Sequence, residues 1–161
     1  MANEVYQVIG TPITFKSSGG SVVWTPAGTT TLQGRKSASW DRGESPQPEE
    51  YSWRAKIAWQ NTPVVGEAID FYIATSDGTI IDGTTTAGDA TFTDTDALPN
   101  MLYVGSLIAD MTTTDSVQGS GVFRMYERYG VLVMVNNGTE TLSATDGDHE
   151  FIATPIYSQG Q

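Results

Sequence analysis

The sequence predicts an all-β protein, a single-domain antiparallel β-sandwich of jelly-roll type over residues 1–161, on three observations. Apolar and polar residues alternate with a period of two through many short runs. Asp-Gly, Asn-Gly and proline-containing turns separate those runs, and no stretch sustains a helical period. Seventeen glycines and many threonines suit tight turns and strands.

The clearest strand contains Trp53, Ala55, Ile57 and Trp59 on one face and Arg54, Lys56 and Ala58 on the other. After the turn Asn61-Thr62-Pro63, residues 67–75 repeat the pattern. Here Ile69, Phe71 and Ile73 alternate with Asp70, Tyr72 and Ala74, and the two runs are expected to pair. Asp77-Gly78 and Asp82-Gly83 supply turn residues that tolerate positive φ. Further extended runs are expected at 5–9, 13–15, 21–24, 29–33, 101–108, 121–128, 131–135, 140–144 and 150–156, with a short one at 90–92. The run from Val131 to Val135 is apolar on both faces and precedes Asn137-Gly138, so it reads as a central strand ending in a hairpin. Asn137-Gly138-Thr139 also matches a glycosylation sequon, but the turn reading is preferred. Expected core residues are Trp53, Ile57, Trp59, Ile69, Phe71, Ile73, Val131, Val133 and Val135. Residues 42–50, with Pro46, Pro48 and mixed charges, read as an exposed proline-rich loop.

A chain of 161 residues buries enough surface to stand without staples. It has no cysteine, which excludes disulfides and thiolate sites, and one histidine, His149, which excludes a multi-histidine metal site. No apolar run reaches the roughly 20 residues of a membrane helix, and the first residues lack the pattern of a secretory signal. The net charge is -11, and residues 57–123 carry nine acidic side chains with no lysine or arginine. Neither direct nucleic-acid binding nor a membrane partner is expected of such a chain.

No constellation points to catalysis. Glu49, Glu50, Glu67 and Asp70 are candidate carboxylates for glycoside hydrolysis, yet no motif privileges a pair. Asp94 with Asp96, and Asp146 with Asp148 and Glu150, offer hard oxygen ligands for calcium, but aspartates of this kind also build turns. The expectation is a non-enzyme with no metal and no cofactor. Trp24, Trp40, Trp53 and Trp59 suit either core packing or a sugar-stacking platform; Trp40, beside Asp41 and Arg42, is the one read as exposed or at a subunit contact. Arg124 and Arg128 share one face if both lie on a strand.

The segments WQNTPVVGEAIDFYIATSDGT, PNMLYVGSLIAD and MYERYGVLVMVNNGTETLSATDGDHEFIATPI, about two fifths of the chain, resemble small β-rich virion proteins of tailed bacteriophages. The resemblance implies a head-decoration (cement) protein, a jelly-roll homotrimer made in the host cytoplasm and seated on the capsid exterior, where it binds the major capsid protein and stabilises the shell. A tail- or fibre-associated virion protein and a carbohydrate-binding module are the alternatives. Candidate capsid or subunit contacts are Arg35, Lys36, Trp40, Arg42, Pro46 and Pro48, from the early, basic part of the chain.

Overall fold

A computed structural model of the chain describes residues 5–44, 47–79, 81–84, 88–110 and 116–160. Twelve strands are assigned among them: β1 (Val5–Ile9), β2 (Ile13–Lys16), β3 (Val22–Val23), β4 (Gly34–Lys36), β5 (Trp40–Asp41), β6 (Glu50–Ile57), β7 (Ala68–Ser76), β8 (Ala90–Phe92), β9 (Leu102–Ile108), β10 (Val117–Arg124), β11 (Tyr129–Asn136) and β12 (Glu150–Gly160). The first sheet runs β10-β6-β12-β2-β3, with β1 also on β12; the second runs β8-β4-β11-β7-β9, with β5 also on β11.

The connectivity is that of a jelly roll. Taking β1/β2 and β4/β5 each as one interrupted strand, antiparallel partners nest from the outside inwards: β1/β2 with β12, β4/β5 with β11, β6 with β10, and β7 with β9. Successive strands of that series change sheet except at the β7–β9 step. The expected antiparallel sandwich is therefore present, with β2 and β3 as a short parallel pair.

Several local expectations are revised. Strands β6 and β7 do not pair: β6 lies between β10 and β12, and β7 between β11 and β9. Each has an apolar inner face, so alternation identifies both as strands without assigning them to a sheet. Residues 29–33 form a turn rather than a strand, with Leu32 at φ 56°, and the strand begins at Gly34. Residues 140–144 contribute only the bridge of Leu142 to Trp59. Strand β10 starts at Val117 and stops at Arg124, so Arg128 lies beyond it in a turn. Asn137-Gly138 does not close a hairpin, because the next strand belongs to the other sheet. The buried Asn136 amide shapes this bend, donating to the carbonyls of Thr29 (3.3 Å) and Glu140 (2.8 Å) and accepting from Gly138 N–H (3.0 Å).

Each central strand has one neighbour broken in two, and the break is chemically accommodated. Along β11 the gap between β4 and β5 falls at Ser37. Its N–H donates to the Leu132 carbonyl (2.8 Å), and its hydroxyl accepts from Leu132 N–H (3.0 Å). Along β12 the gap falls at Pro155, whose carbonyl accepts from Gly10 N–H (2.8 Å) and which has no N–H to leave unpaired.

The sheets close on an aromatic core. Trp53 stacks on Phe151 (5.7 Å, 9°), and Phe71 of the opposite sheet packs against Trp24, Trp53 and Phe151 at 6.4, 5.9 and 5.2 Å. A Cβ on Gly121 would sit 2.6 Å from the Trp53 indole, and so would one on Gly105, whose φ is +153°. These glycines open the slot the indole fills. A second apolar cluster lies on the outer side of the β11 sheet: Val131, Val133 and Val135 join Ala74, Phe92 and Met101 there, with Leu98 and Ala97 against them. The three valines are thus buried as expected, but beneath Ile81 and residues 92–101 and not between the sheets. This is why β11 is apolar on both faces.

His149 is a buried titratable group of this interior. Its Nε2 lies 2.9 Å from the Ser143 carbonyl, which can only accept, so Nε2 carries the proton; buried Nδ1 has no hydrogen-bond partner among the described residues. Burial pushes the imidazole below its ordinary value of 6.5, against the opposing pull of the Ser143 carbonyl and of Asp148 and Asp146.

Phe71→Ala is expected to lower stability by about 3–5 kcal/mol in denaturant melts. Gly121→Ala, which adds one methyl against Trp53, should cost about 1–3 kcal/mol by overpacking. For His149 the unfolded chain binds the proton more readily than the folded one, so stability is full above about pH 6.5 and falls as the pH drops below it. Melts between pH 7.5 and roughly 5 should show this slope, above the range where carboxylates titrate, and His149→Gln should flatten it.

Candidate interaction surface

The two sheets differ in what covers their outer faces. The β11 sheet carries the segment just described, including the 3-10 turn at Thr95–Asn100. The β12 sheet carries no such cover among the described residues, and its outward positions follow from strand alternation and register. One row reads Ser120, Arg54, Ile152, Thr14; the next towards the β1 end reads Val122, Ser52, Thr154; then come Arg124, Glu50, Ile156 and Ile9. On the other side of the Arg54 row lie Gln118, Lys56 and Glu150, with Lys16 beside Glu150.

Four of the eight basic residues thus meet on one face, against Glu50 and Glu150, in a chain of net charge -11. Lys16 lies 3.6 Å from Glu150, Arg124 3.2 Å from Glu50, and the Lys56 ammonium 3.4 Å from the Gly147 carbonyl. Arg54, exposed at the centre, has no ion-pair partner among the described residues. Half-buried Ile152 and Ile156 and exposed Val122 and Ile9 lie among these charges. Such a face offers apolar area and positive charge together, the combination that suits an acidic protein surface.

The other basic side chains are engaged elsewhere, Arg35 and Lys36 in partly or fully buried positions and Arg128 at the surface. Arg35 holds Asp89 through two hydrogen bonds of 2.7 and 2.8 Å, and Asp89 also accepts from Thr25 N–H at 3.1 Å. Burial alone would raise the Asp89 carboxyl, but these bonds outweigh it and hold it below the usual carboxylate range. Lys36 is buried on the outer side of β4, where it lines a cavity of about 440 Å³ with Ile81, Thr91 and Phe92. Arg42 lies over the Tyr51 ring, donates to its hydroxyl (2.8 Å) and to the carbonyls of Glu127 and Pro48, and so ties Pro48 to the body. Pro48 is buried; Pro46 lies outside the described residues. Trp40 is buried too, edge-on to Phe15 and Tyr51, which replaces the expectation of an exposed indole. Arg128 pairs with Asp41 at 2.9 Å and approaches Glu44 at 3.6 Å.

Three of the acidic candidates, Glu67, Asp70 and Asp148, are engaged by hydrogen bonds, and Glu50 and Glu150 by the ion pairs above. The Glu67 carboxylate, although its partial burial works the other way, is held below its ordinary range by donors from Thr139 and Val64; Asp70 accepts from Ser106 and Asn137. Asp148 accepts from the Ser143 hydroxyl at 2.7 Å. Among the described residues no group of three or more His, Cys, Asp or Glu is placed to hold a metal ion. All four tryptophans are buried, so no indole offers a flat face for a sugar. No helix is long and apolar enough to cross a membrane among the described residues.

Neither a protein-family model nor a curated protein matches this sequence. Among solved structures, the chain is similar to murine APRIL crystallised at pH 8.5, with a TM-score of 0.43 and 9% identity over 74% of this chain and 70% of that one. A second murine APRIL structure, at pH 5.0, gives 0.40 and 11% over 74% and 72%. This likeness bears on neither function nor partners.

Proposed function

We propose that this chain is a structural virion protein of a tailed phage, a decoration protein that binds the assembled major capsid protein shell as a homo-oligomer, a trimer by resemblance, and stabilises it from outside. The observation that carries the reading is the inequality of the outer faces. One sheet is covered by the chain's own Ile81 and residues 92–101, whereas the other presents Arg54, Lys56, Lys16 and Arg124 among aliphatic side chains. The resemblance in sequence to phage virion proteins supplies the class of partner, and an acidic patch on the shell is the surface that such a face fits. A cement protein requires a rigid body and repeated contacts rather than a reaction centre, and several copies acting together turn weak contacts into lasting attachment.

The test is occupancy on purified particles, with the chain quantified by mass spectrometry and placed in density by electron microscopy. Charge reversal by Arg54→Glu with Lys56→Glu should weaken attachment about tenfold at low ionic strength, and the difference from wild type should narrow as salt is raised. Both substitutions sit on the outer face; Arg54→Glu alone should leave the melting temperature close to wild type, whereas Lys56→Glu, which faces Glu150 across the strand pair, should lower it modestly. A chain absent from purified particles would defeat the reading.

A further inference from the structure

Strand β12 runs beside β6 only as far as the pair Glu50–Ile156, but continues to Gly160 against β1. Beyond the body, β1 and the end of β12 therefore form a two-stranded ribbon. The bond from Gly10 N–H to the Pro155 carbonyl fixes its parity. In this register Val8 faces Tyr157 with bonds exchanged between them, so the N–H and C=O groups of Gln7 and Ile9 point away from β12. By the same parity those of Ser158 point to the opposite edge, where β6 has ended. A cavity of about 440 Å³ lies along that edge, bordered by Pro48, Glu50, Tyr157 and Ser158. Neither edge has a strand partner among the described residues.

Exposed edges in stable proteins are usually blocked by charge, proline or a bulge. Here Gln7, Val8 and Ile9 are all exposed, Ile9 at 73%, and β1 contains no proline. Residues 5–15 and 151–161 contain no charged side chain in a chain of net charge -11. Two acidic copies repel through most of their surfaces, whereas this ribbon brings backbone donors and acceptors together with no carboxylate of its own; of Glu49 and Glu50, which border the cavity beside it, Glu50 is paired with Arg124.

We infer that the ribbon is the self-association site: the open edge of β1 in one copy adds to the open β12 edge of the next, beside the cavity. The contact is head-to-tail, and a closing rotation makes a ring. The partner is a second copy of this chain because an uncharged, double-edged ribbon supplies both halves of the contact. The inference deepens the homo-oligomer in the reading above and rests on it; shell binding is measured separately.

Gln7→Pro and Ser158→Pro each remove one outward N–H and leave the β1–β12 bonds in place. Sedimentation of the purified chain over a concentration series should show an oligomer for wild type. Each variant should weaken its association about tenfold or more, with circular dichroism and melting temperature unchanged. Ile9→Lys, which puts charge on an exposed position, should act in the same direction and serves if a proline variant does not fold. A wild type that stays monomeric at all concentrations, or variants that associate as wild type does, would overturn the inference. Loss with Gln7→Pro but not Ser158→Pro would overturn the head-to-tail contact in favour of β1 pairing with β1 about a twofold axis. Particle occupancy is read in parallel: an oligomer that ignores shells leaves the ribbon standing and removes the decoration role. A monomer that coats shells does the reverse.

Discussion

The placement of the Trp53 indole constrains the rest of the sandwich. It stacks on Phe151 of its own sheet, meets Phe71 of the other, and occupies space that exists because residues 105 and 121 have no Cβ. Gly105 lies on β9 and Gly121 on β10, so one side chain on β6 gauges the approach of three strands in two sheets. Close packing makes this a demanding arrangement, since a methyl group in the slot has nowhere to go. Inward positions such as Ile69, Ile73 and Leu132 fill the space around it.

The backbone shows the same economy of parts. Jelly-roll strands are long and their partners are interrupted, so polar groups must be satisfied at each interruption. Ser37 substitutes a hydroxyl for a missing strand bond opposite Leu132, and Pro155 removes the donor that the gap would have orphaned. The two sheets then part company on their outer faces. Ile81 and residues 92–101 turn one into a second core around Val133; the other remains a mixed aliphatic and basic face. The surface proposed for attachment is thus a by-product of where the chain places its cover.

Much of this fold was legible in the sequence because a period of two is a local property. Phe71 and Ile73 could be assigned inward from their own neighbours, as could Trp53 and Ile57, and Asp77-Gly78 and Asp82-Gly83 do bring glycines at positive φ. Register is a long-range property, and there the reading ran out. Arg54 and Lys56 were seen on the polar side of their strand, but nothing nearby says that Arg124, Lys16 and Ile152 stand beside them. Nor does the sequence near Arg35 and Arg42 show that Asp89 and the Glu127 carbonyl, far along the chain, engage them. Trp40, next to two charged residues, suits an exposed position or a subunit contact by its neighbours alone, yet a strand of two residues is enough to turn its indole inward while Asp41 faces out. The cover over the β11 sheet left a fainter trace, in Phe92, Leu98 and Met101 set within a threonine-rich stretch.

The central position of β12 has a consequence for how the chain matures. β6, β2 and β1 are neighbours only through it, so until residue 150 and those after it are synthesised the first sheet is three separate pieces, β10-β6, β2-β3 and β1. Trp53 lacks its stacking partner during that interval, and β6 shows an open edge flanked by large apolar side chains. The contacts that end this state join residues about a hundred positions apart, which makes closure slow compared with forming a local hairpin. A nascent or truncated chain is therefore a sticky one, and the step from aggregation-prone to soluble falls at the arrival of a single strand.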